Sequence, residues 1–376
     1  MNLGLRVLIT NNALAARGGS ELYVRDISLG LMKRGHEPVA YSTMLGAVAR
    51  ELRAARVSVV DDLSQLTIAP DVIHGHHHME TMTALLHFPR TPAIHFCHSS
   101  TNWLETPLRF PRIVRYVAVD HACRDRLSLH DVPEERIRVL LNFVDLDRFK
   151  ARETPLPPRP ERALVFSNYA NEETHLPAVR EACKRANITL DVLGNGARGG
   201  TDQPETILRD YDLVFAKARC ALEALASGAA VILCDAKGAG PLVSTREFER
   251  LRPLNFGIRT LTKPLDVDTI LREINLYDAA DAAAVTRTVR ATAGHESIID
   301  ELVSLYHEVI QEYRNASNGS VDAEGRAAAA YLRQLKIDFA THGAASMRLR
   351  ERLQRIPLLG RWGIKLARRI TGHSDQ

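Results

Sequence analysis

The chain has 376 residues, with 49 Lys and Arg against 45 Asp and Glu for a net charge of +4, and 45% hydrophobic residues. That length holds two or three domains with real cores rather than one, and the small net charge excludes a global nucleic-acid-binding signature. Five scattered cysteines (Cys97, Cys123, Cys183, Cys220, Cys234) without a CxxC read as free thiols of a reducing compartment; no stretch is apolar enough to span a bilayer and Met1-Asn-Leu-Gly-Leu-Arg-Val runs straight into a strand, so a cytoplasmic location is expected.

Residues 5–10 predict a first strand. It empties into Asn11-Asn-Ala-Leu-Ala-Ala-Arg-Gly-Gly-Ser-Glu21, beyond which Tyr23, Val24, Ile27 and Leu31 recur at helical spacing. Gly18, Gly19 and Ser20 are therefore expected at a helix N-terminus, where free N–H groups and the positive end of the dipole can meet an anion, with Ser20 able to cap. Strands are expected at 37–42, 57–60, 72–76, 93–98 and 116–119. Their alternation with helical segments predicts a parallel, doubly wound sheet. Two of these strands end in histidine clusters, His74-Gly-His-His-His78 and His95-Phe-Cys-His98. No acidic or cysteine partner stands at a recognisable metal-ligand spacing, so no metal is expected, and the histidines read as polar groups at the sheet's edge.

Residues 132–149 run through an apolar strand to Asn142-Phe-Val-Asp-Leu-Asp-Arg-Phe149. Residues 150–162 carry Pro155, Pro157, Pro158 and Pro160 among charges, a linker composition. A second set of elements follows, with strands at 163–166 and 189–193, a helix at 176–185, and Gly194-Asn-Gly196 ending the second strand. Leu213, Val214 and Phe215 then start a βαβ unit whose helix spans 218–226, whose stop is Gly228, and whose second strand spans 230–234. A turn through Gly238 and Gly240 is expected after it. The loops that carry Lys217, Arg219, Gly238 and Gly240 fall at the carboxyl ends of parallel strands, where open α/β sheets bind ligands. Glu223 lies in the apolar helix Ala-Leu-Glu-Ala-Leu-Ala and needs donors, such as ribose or sugar hydroxyls. Residues 255–261 read as a turn and short strand, and helices are expected at 267–276, 279–291 and 297–313. After the spacer Asn315-Ala-Ser-Asn-Gly-Ser320, residues 346–370 carry eight cations, Arg348 to Arg369, against the single acid Glu351. Interleaved Leu, Ile and Trp362, divided by Pro357 and Gly360, make two short amphipathic pieces suited to an anionic membrane surface or to a protein face.

Leu222-Glu-Ala-Leu-Ala-Ser-Gly-Ala-Ala-Val-Ile resembles the nucleotide-sugar site of family 4 glycosyltransferases, and Asn142, Val144, Asp145 and Phe149 match that family's interdomain junction, with Phe143 in place of Gly. The resemblance covers most of residues 5–313. It implies the α/β GT-B fold of two facing Rossmann-like, doubly wound domains: 1–149 on the acceptor side, a linker at 150–162, a nucleotide-sugar domain at 163–295, a helix at 296–314 crossing back to the first domain, and a helical basic tail at 315–376. By the same resemblance Glu223 holds the ribose of a UDP- or GDP-type donor, Gly18 and Gly19 with Gly238 and Gly240 approach the diphosphate or sugar, and His98 faces the transferred sugar. Glu21 and His76 fall on the acceptor side, for a glycan or lipid-linked acceptor, and neither a metal nor another cofactor is implied.

Two departures stand against the family pattern. The loop Ser167-Asn-Tyr-Ala-Asn-Glu-Glu-Thr-His175 lacks the Arg and Lys that usually clamp the donor diphosphate, and the first of two spaced glutamates falls at Phe215. Lys217 and Arg219 are placed to supply that charge instead. The reading is a retaining, metal-independent sugar transfer of cell-envelope or surface-polysaccharide type, with two alternatives: a non-catalytic nucleotide-sugar-binding protein and a sugar-nucleotide epimerase.

Overall fold

The computed structural model describes residues 4–194, 203–316 and 321–354, the side chains of the last segment up to residue 340. The first sheet is built from β1 (Arg6–Thr10), α1 (Gly19–Lys33), β2 (Glu37–Tyr41), α2 (Ala47–Ala54), β3 (Ser58–Val60), β4 (Val72–His76), α3 (His78–His87), β5 (Ala93–Cys97), β6 (Ile113–Ala118), α4 (His121–Leu129) and β7 (Ile137–Val139). Its order is β3-β2-β1-β4-β5-β6-β7 and every pairing is parallel. Both faces are covered by helices, so β4 and β5 are buried at every position, and His74, His76 and His95 lie in the middle of the sheet rather than at its edge as expected from the sequence.

The second sheet takes β8 (Arg162–Phe166), α5 (Leu176–Arg185), β9 (Thr189–Leu193), β10 (Leu213–Ala216), α6 (Ala218–Ala226), β11 (Ala230–Asp235) and β12 (Gly238–Leu242), in the order β12-β11-β10-β8-β9. α7 (Thr245–Leu251), α8 (Val267–Ile274), α9 (Ala279–Thr292) and α10 (His295–Asn315) follow. Two apolar clusters flank this sheet, one holding Val214, Leu222, Leu225, Val231 and Phe256, the other Val165, Val179, Phe215, Ile232 and Ile270. α10 lies against α1, β5 and β6, and the Tyr306 hydroxyl reaches His74 Nδ1 at 2.5 Å.

Several elements differ from the sequence expectation. The glycine turn is a strand: Gly238 and Gly240 lie in β12, antiparallel to β11, and the chain reverses through Ala236 and Lys237. A Cβ on Gly240 would stand 2.7 Å from the Thr260 carbonyl oxygen, so this glycine permits close packing of backbone on backbone. Residues 255–261 form no strand. Asn255 and Phe256 take left-handed φ values of 48° and 53°, and a 3₁₀ turn, Ile258–Thr260, follows. Ser20 does not cap α1; Gly18 is the N-cap and the Ser20 hydroxyl bonds Glu21 at 3.0 Å.

The chain separates into two compact units: a larger one running to Asn315 apart from Leu108–Pro111, and a smaller one joining Leu108–Pro111 to the segment from Ala316. Both sheets belong to the larger unit. In the smaller, α11 (Val321–Gln354) runs unbroken through the start of the stretch read as two basic amphipathic pieces, the rest of which, like Asn195 and Gly196, lies outside the described residues. No helix among the described residues is long and apolar enough to cross a membrane. Cys97, Cys123, Cys183 and Cys234 are buried and Cys220 half-buried, all as free thiols.

Candidate functional site

The carboxyl ends of β1, β4 and β5 in one sheet, and of β10 and β11 in the other, carry most of the residues singled out above. α1 begins directly after the β1 loop. Gly19 faces open space, but the carboxylate of Glu21 folds back over Gly18, where a Cβ would collide with it. Glu21 stands three residues into α1 and so meets the helix end through its own side chain, as a capping-box acid does.

One turn further along α1, Asp26 is 5% exposed and accepts from Arg25 through Nη2 at 2.6 Å and Nε at 2.9 Å. Its other oxygen takes Arg219, which belongs to α6 of the second sheet. Arg219 also donates through Nε to Glu223, one helical turn away, at 2.7 Å. Glu223 is 5% exposed. The row Arg25–Asp26–Arg219–Glu223 thus joins the two halves of the larger unit through alternating charges. Burial pushes the Asp26 carboxyl up, but Arg219 and Arg25 outweigh it and the net shift is downward. For Glu223 burial wins over Arg219, and its carboxyl is raised above the ordinary value. Beside this row lies a cavity of about 440 Å³ lined by Arg17, Arg25, Asp26, Glu51, Arg148 and Glu205 among others.

Lys217 is the N-cap of α6. Its ammonium pairs with Asp235 at the end of β11 and stands 5.5 Å from the centre of the exposed Tyr169 ring. The next residue, Ala218, has φ +52° and donates its N–H to the Phe256 carbonyl at 2.9 Å. His175 at the start of α5 is fully buried, and neither ring nitrogen has a partner among the described residues.

On the first sheet, His98 lies just past β5 and its Nε2 is 2.6 Å from His76 Nδ1. The His98 backbone N–H donates to Glu105 at 2.9 Å, and the other Glu105 oxygen meets His77 Nε2 at 3.3 Å. Burial opposes ionisation of Glu105, yet the bonds from His77 and His98 outweigh it and hold its carboxyl down to about 2. Burial pushes His98 down to about 4. The edge of Tyr23 packs on His98 with ring centres 4.7 Å apart, and Phe143 packs on Tyr23 at 5.1 Å.

A second join between the halves is polar and uncharged on one side. Asn255 donates to the Val119 carbonyl and accepts from the Asn142 N–H at 3.2 Å and from Arg252 Nη1 at 2.6 Å, while Arg252 Nη2 reaches the Asn142 carbonyl at 2.7 Å. Arg252 is 8% exposed, and burial lowers it to about 10. Among the described residues no cluster of three or more His, Cys, Asp or Glu is placed to hold a metal ion.

Residues 17–148 match the model of Glycosyltransferase Family 4. These residues are a family 4 glycosyltransferase domain. The whole chain has the two-sheet α/β architecture of GT-B glycosyltransferases. It is similar to a glycosyltransferase from Rickettsia africae, at 14% identity and a TM-score of 0.61 over 83% of this chain and 100% of the other. It is likewise similar to HepE of Anabaena in complex with UDP-glucose, at 15% identity and a TM-score of 0.60 over 81% and 100%. No curated protein matches the chain.

Within this glycosyltransferase His76 and His98 touch, and Arg219 and Glu223 touch, whereas Gly238 and Gly240 are interior strand residues. The two cations read as a replacement clamp each already hold a buried carboxylate. Asp26, Asp235, Glu105 and Asn255 were missed by sequence reasoning. For the first two a signal existed: Asp26 sits on the apolar stripe of α1 and Asp235 closes an otherwise apolar strand, so each required a partner.

Proposed function

We propose that this glycosyltransferase moves a sugar from a nucleoside-diphosphate donor to an acceptor hydroxyl, with residues 163–295 on the donor side and 1–149 on the acceptor side. The observation that carries the reading is the row from Arg25 to Glu223, which brings the α6 residues of the nucleotide-sugar motif against α1 of the family 4 domain. In this reading Glu223 meets the ribose by exchanging part of its bond to Arg219, and Lys217 leaves Asp235 for the departing diphosphate, one anionic partner replaced by another. Gly19, which faces open space, and Gly18 once the Glu21 carboxylate swings off it admit the phosphates or sugar, and His98 faces the reacting sugar. Attack from the face that the diphosphate leaves retains configuration, with protein cations and N–H groups in place of a metal. The UDP-glucose complex of HepE supports a nucleotide sugar as donor. The acceptor is a glycan or lipid-linked hydroxyl in cell-envelope or surface-polysaccharide synthesis, and the basic residues of 346–370 suit an enzyme peripheral to an anionic membrane on its cytoplasmic face.

A second reading, a non-catalytic nucleotide-sugar-binding protein, is favoured by one observation: Lys217 and Arg219 are both neutralised by buried carboxylates. Calorimetry with UDP, GDP and their common sugar conjugates, on the wild type and on Glu223→Ala, separates the two when product analysis follows. Micromolar binding of one nucleotide, lost in the variant, with transfer to an acceptor supports the enzyme. Binding without turnover supports the second reading, and no binding of any nucleotide overturns both.

A further inference from the structure

β4 and β5 pair in parallel with His76 opposite Phe96, which puts Phe96, His74, His76 and His98 on one face of the sheet. Their rings lie nearly parallel: Phe96 and His74 have centres 4.1 Å apart, His74 and His76 4.6 Å, and His76 and His98 4.6 Å, with interplanar angles of 10°, 5° and 10°. His76 is fully buried. Its Nδ1 meets His98 Nε2, while its Nε2 has no partner among the described residues. The stack is interior enough that all three imidazoles stay neutral near pH 7, each carrying one ring proton.

A single proton lies in the 2.6 Å bond between the two rings. If His98 Nε2 supplied it, the one ring proton of His76 would sit on Nε2, a buried N–H aimed at no acceptor. If His76 Nδ1 supplies it, the orphan is a lone pair, which interiors tolerate better than an orphan donor. His98 must then carry its own proton on Nδ1, the nitrogen not engaged by His76. The backbone bond from His98 to Glu105 holds the residue in place.

We propose that His76 is a positioning residue that fixes His98 in the Nδ1–H tautomer, so that His98 offers its ligand a neutral hydrogen-bond donor rather than a base. The ligand atom it suits is an oxygen of the sugar being transferred. That last step rests on the proposed function; the tautomer does not.

The test is nitrogen-15 NMR of the full chain with labelled histidine, together with turnover of UDP-glucose. The wild type should show His98 as the Nδ1–H tautomer without ligand. His76→Phe keeps an aromatic ring at this place but removes the donor; it should shift His98 toward Nε2–H and lower kcat about tenfold with KM for UDP-glucose little changed. His76→Asn, whose Nδ2 stands near the place of the imidazole Nδ1, should restore the tautomer and part of the turnover, and it remains a test if the Phe variant does not fold. An Nε2–H signal for His98 in the wild type, or an unchanged Nδ1–H signal in His76→Phe, would overturn the proposal. The expected tautomers with wild-type turnover in His76→Phe would overturn the placement of His98 at the sugar and keep the tautomer. Absent turnover in the wild type counts against UDP-glucose as the donor and leaves the tautomer to the NMR arm, which reads the unliganded protein.

Discussion

Asp26 joins α1 to α6 through Arg219, and the effect of its removal can be worked out from its contacts. Asp26→Asn keeps the shape and deletes the charge. The side chains left behind are Arg25, 8% exposed, and Arg219, 16% exposed. Breaking a buried ion pair by removing one partner costs about 3–5 kcal/mol, because the remaining charge stays out of water without compensation. Here each guanidinium keeps a second carboxylate: Arg219 retains Glu223 at 2.7 Å and Arg25 retains Glu51 at 3.3 Å. The loss should therefore fall at the lower end, about 3 kcal/mol. Urea denaturation at pH 7 measures it. Because the group is buried, raising the salt from 0.05 to ~0.5 M should change the difference by less than about 0.5 kcal/mol, unlike an exposed pair. A double-mutant cycle with Arg219→Met should return a coupling of about 1–3 kcal/mol. A loss under about 1 kcal/mol, or one erased by salt, would refute the claim that this carboxylate holds the two halves together.

Two further outcomes follow from single residues. Ala218 is an L-residue at φ +52°, where its Cβ crowds the backbone, so Ala218→Gly should raise stability by about 1 kcal/mol and Ala218→Val should lower it; the reverse order of urea midpoints would show that the conformation carries no strain. His95 is fully buried with neither ring nitrogen partnered among the described residues, and burial lowers it to about 3. The unfolded chain takes up a proton near pH 6.5 that the folded chain refuses until about pH 3, so stability is fully present above 6.5 and falls by about 1.4 kcal/mol per unit as pH drops through that window. His95→Phe should flatten the slope between pH 6.5 and 5 by one proton, and an unchanged slope would mean that His95 is not held neutral.

The alternation of strands and helices was legible because parallel sheets bury whole strands and surface helices bury one stripe, both of which leave periodic traces. Residues 72–76, 218–226 and 176–185 were read to the residue. Periodicity reports burial and not pairing. It could not show that Arg219 meets Asp26, 193 positions away, nor that Lys217 meets Asp235. Glycine misled at Gly238 and Gly240 because the same residue serves a phosphate turn and a strand pressed on its neighbour's backbone. Asn255 left no trace, since a left-handed Asn that bonds across domains looks in sequence like any loop Asn.

The charge arithmetic of the cleft bears on how a diphosphate could be held. Lys217, Arg219 and Arg25 stand against Asp235, Glu223 and Asp26, so the group is neutral as built. An anion entering it must displace a carboxylate or rely on backbone donors. The two cations are not equally free to make that exchange. Arg219 is gripped from both sides by buried carboxylates and ties the halves together, so moving it disturbs the join. Lys217 has a single carboxylate, a side chain 24% exposed, and an aromatic face at 5.5 Å along which a flexible ammonium can swing. In the proposed transfer, of the pair placed at the α6 N-terminus, Lys217 would therefore be the cation that follows a leaving diphosphate, and Arg219 the one that stays with Asp26 and Glu223.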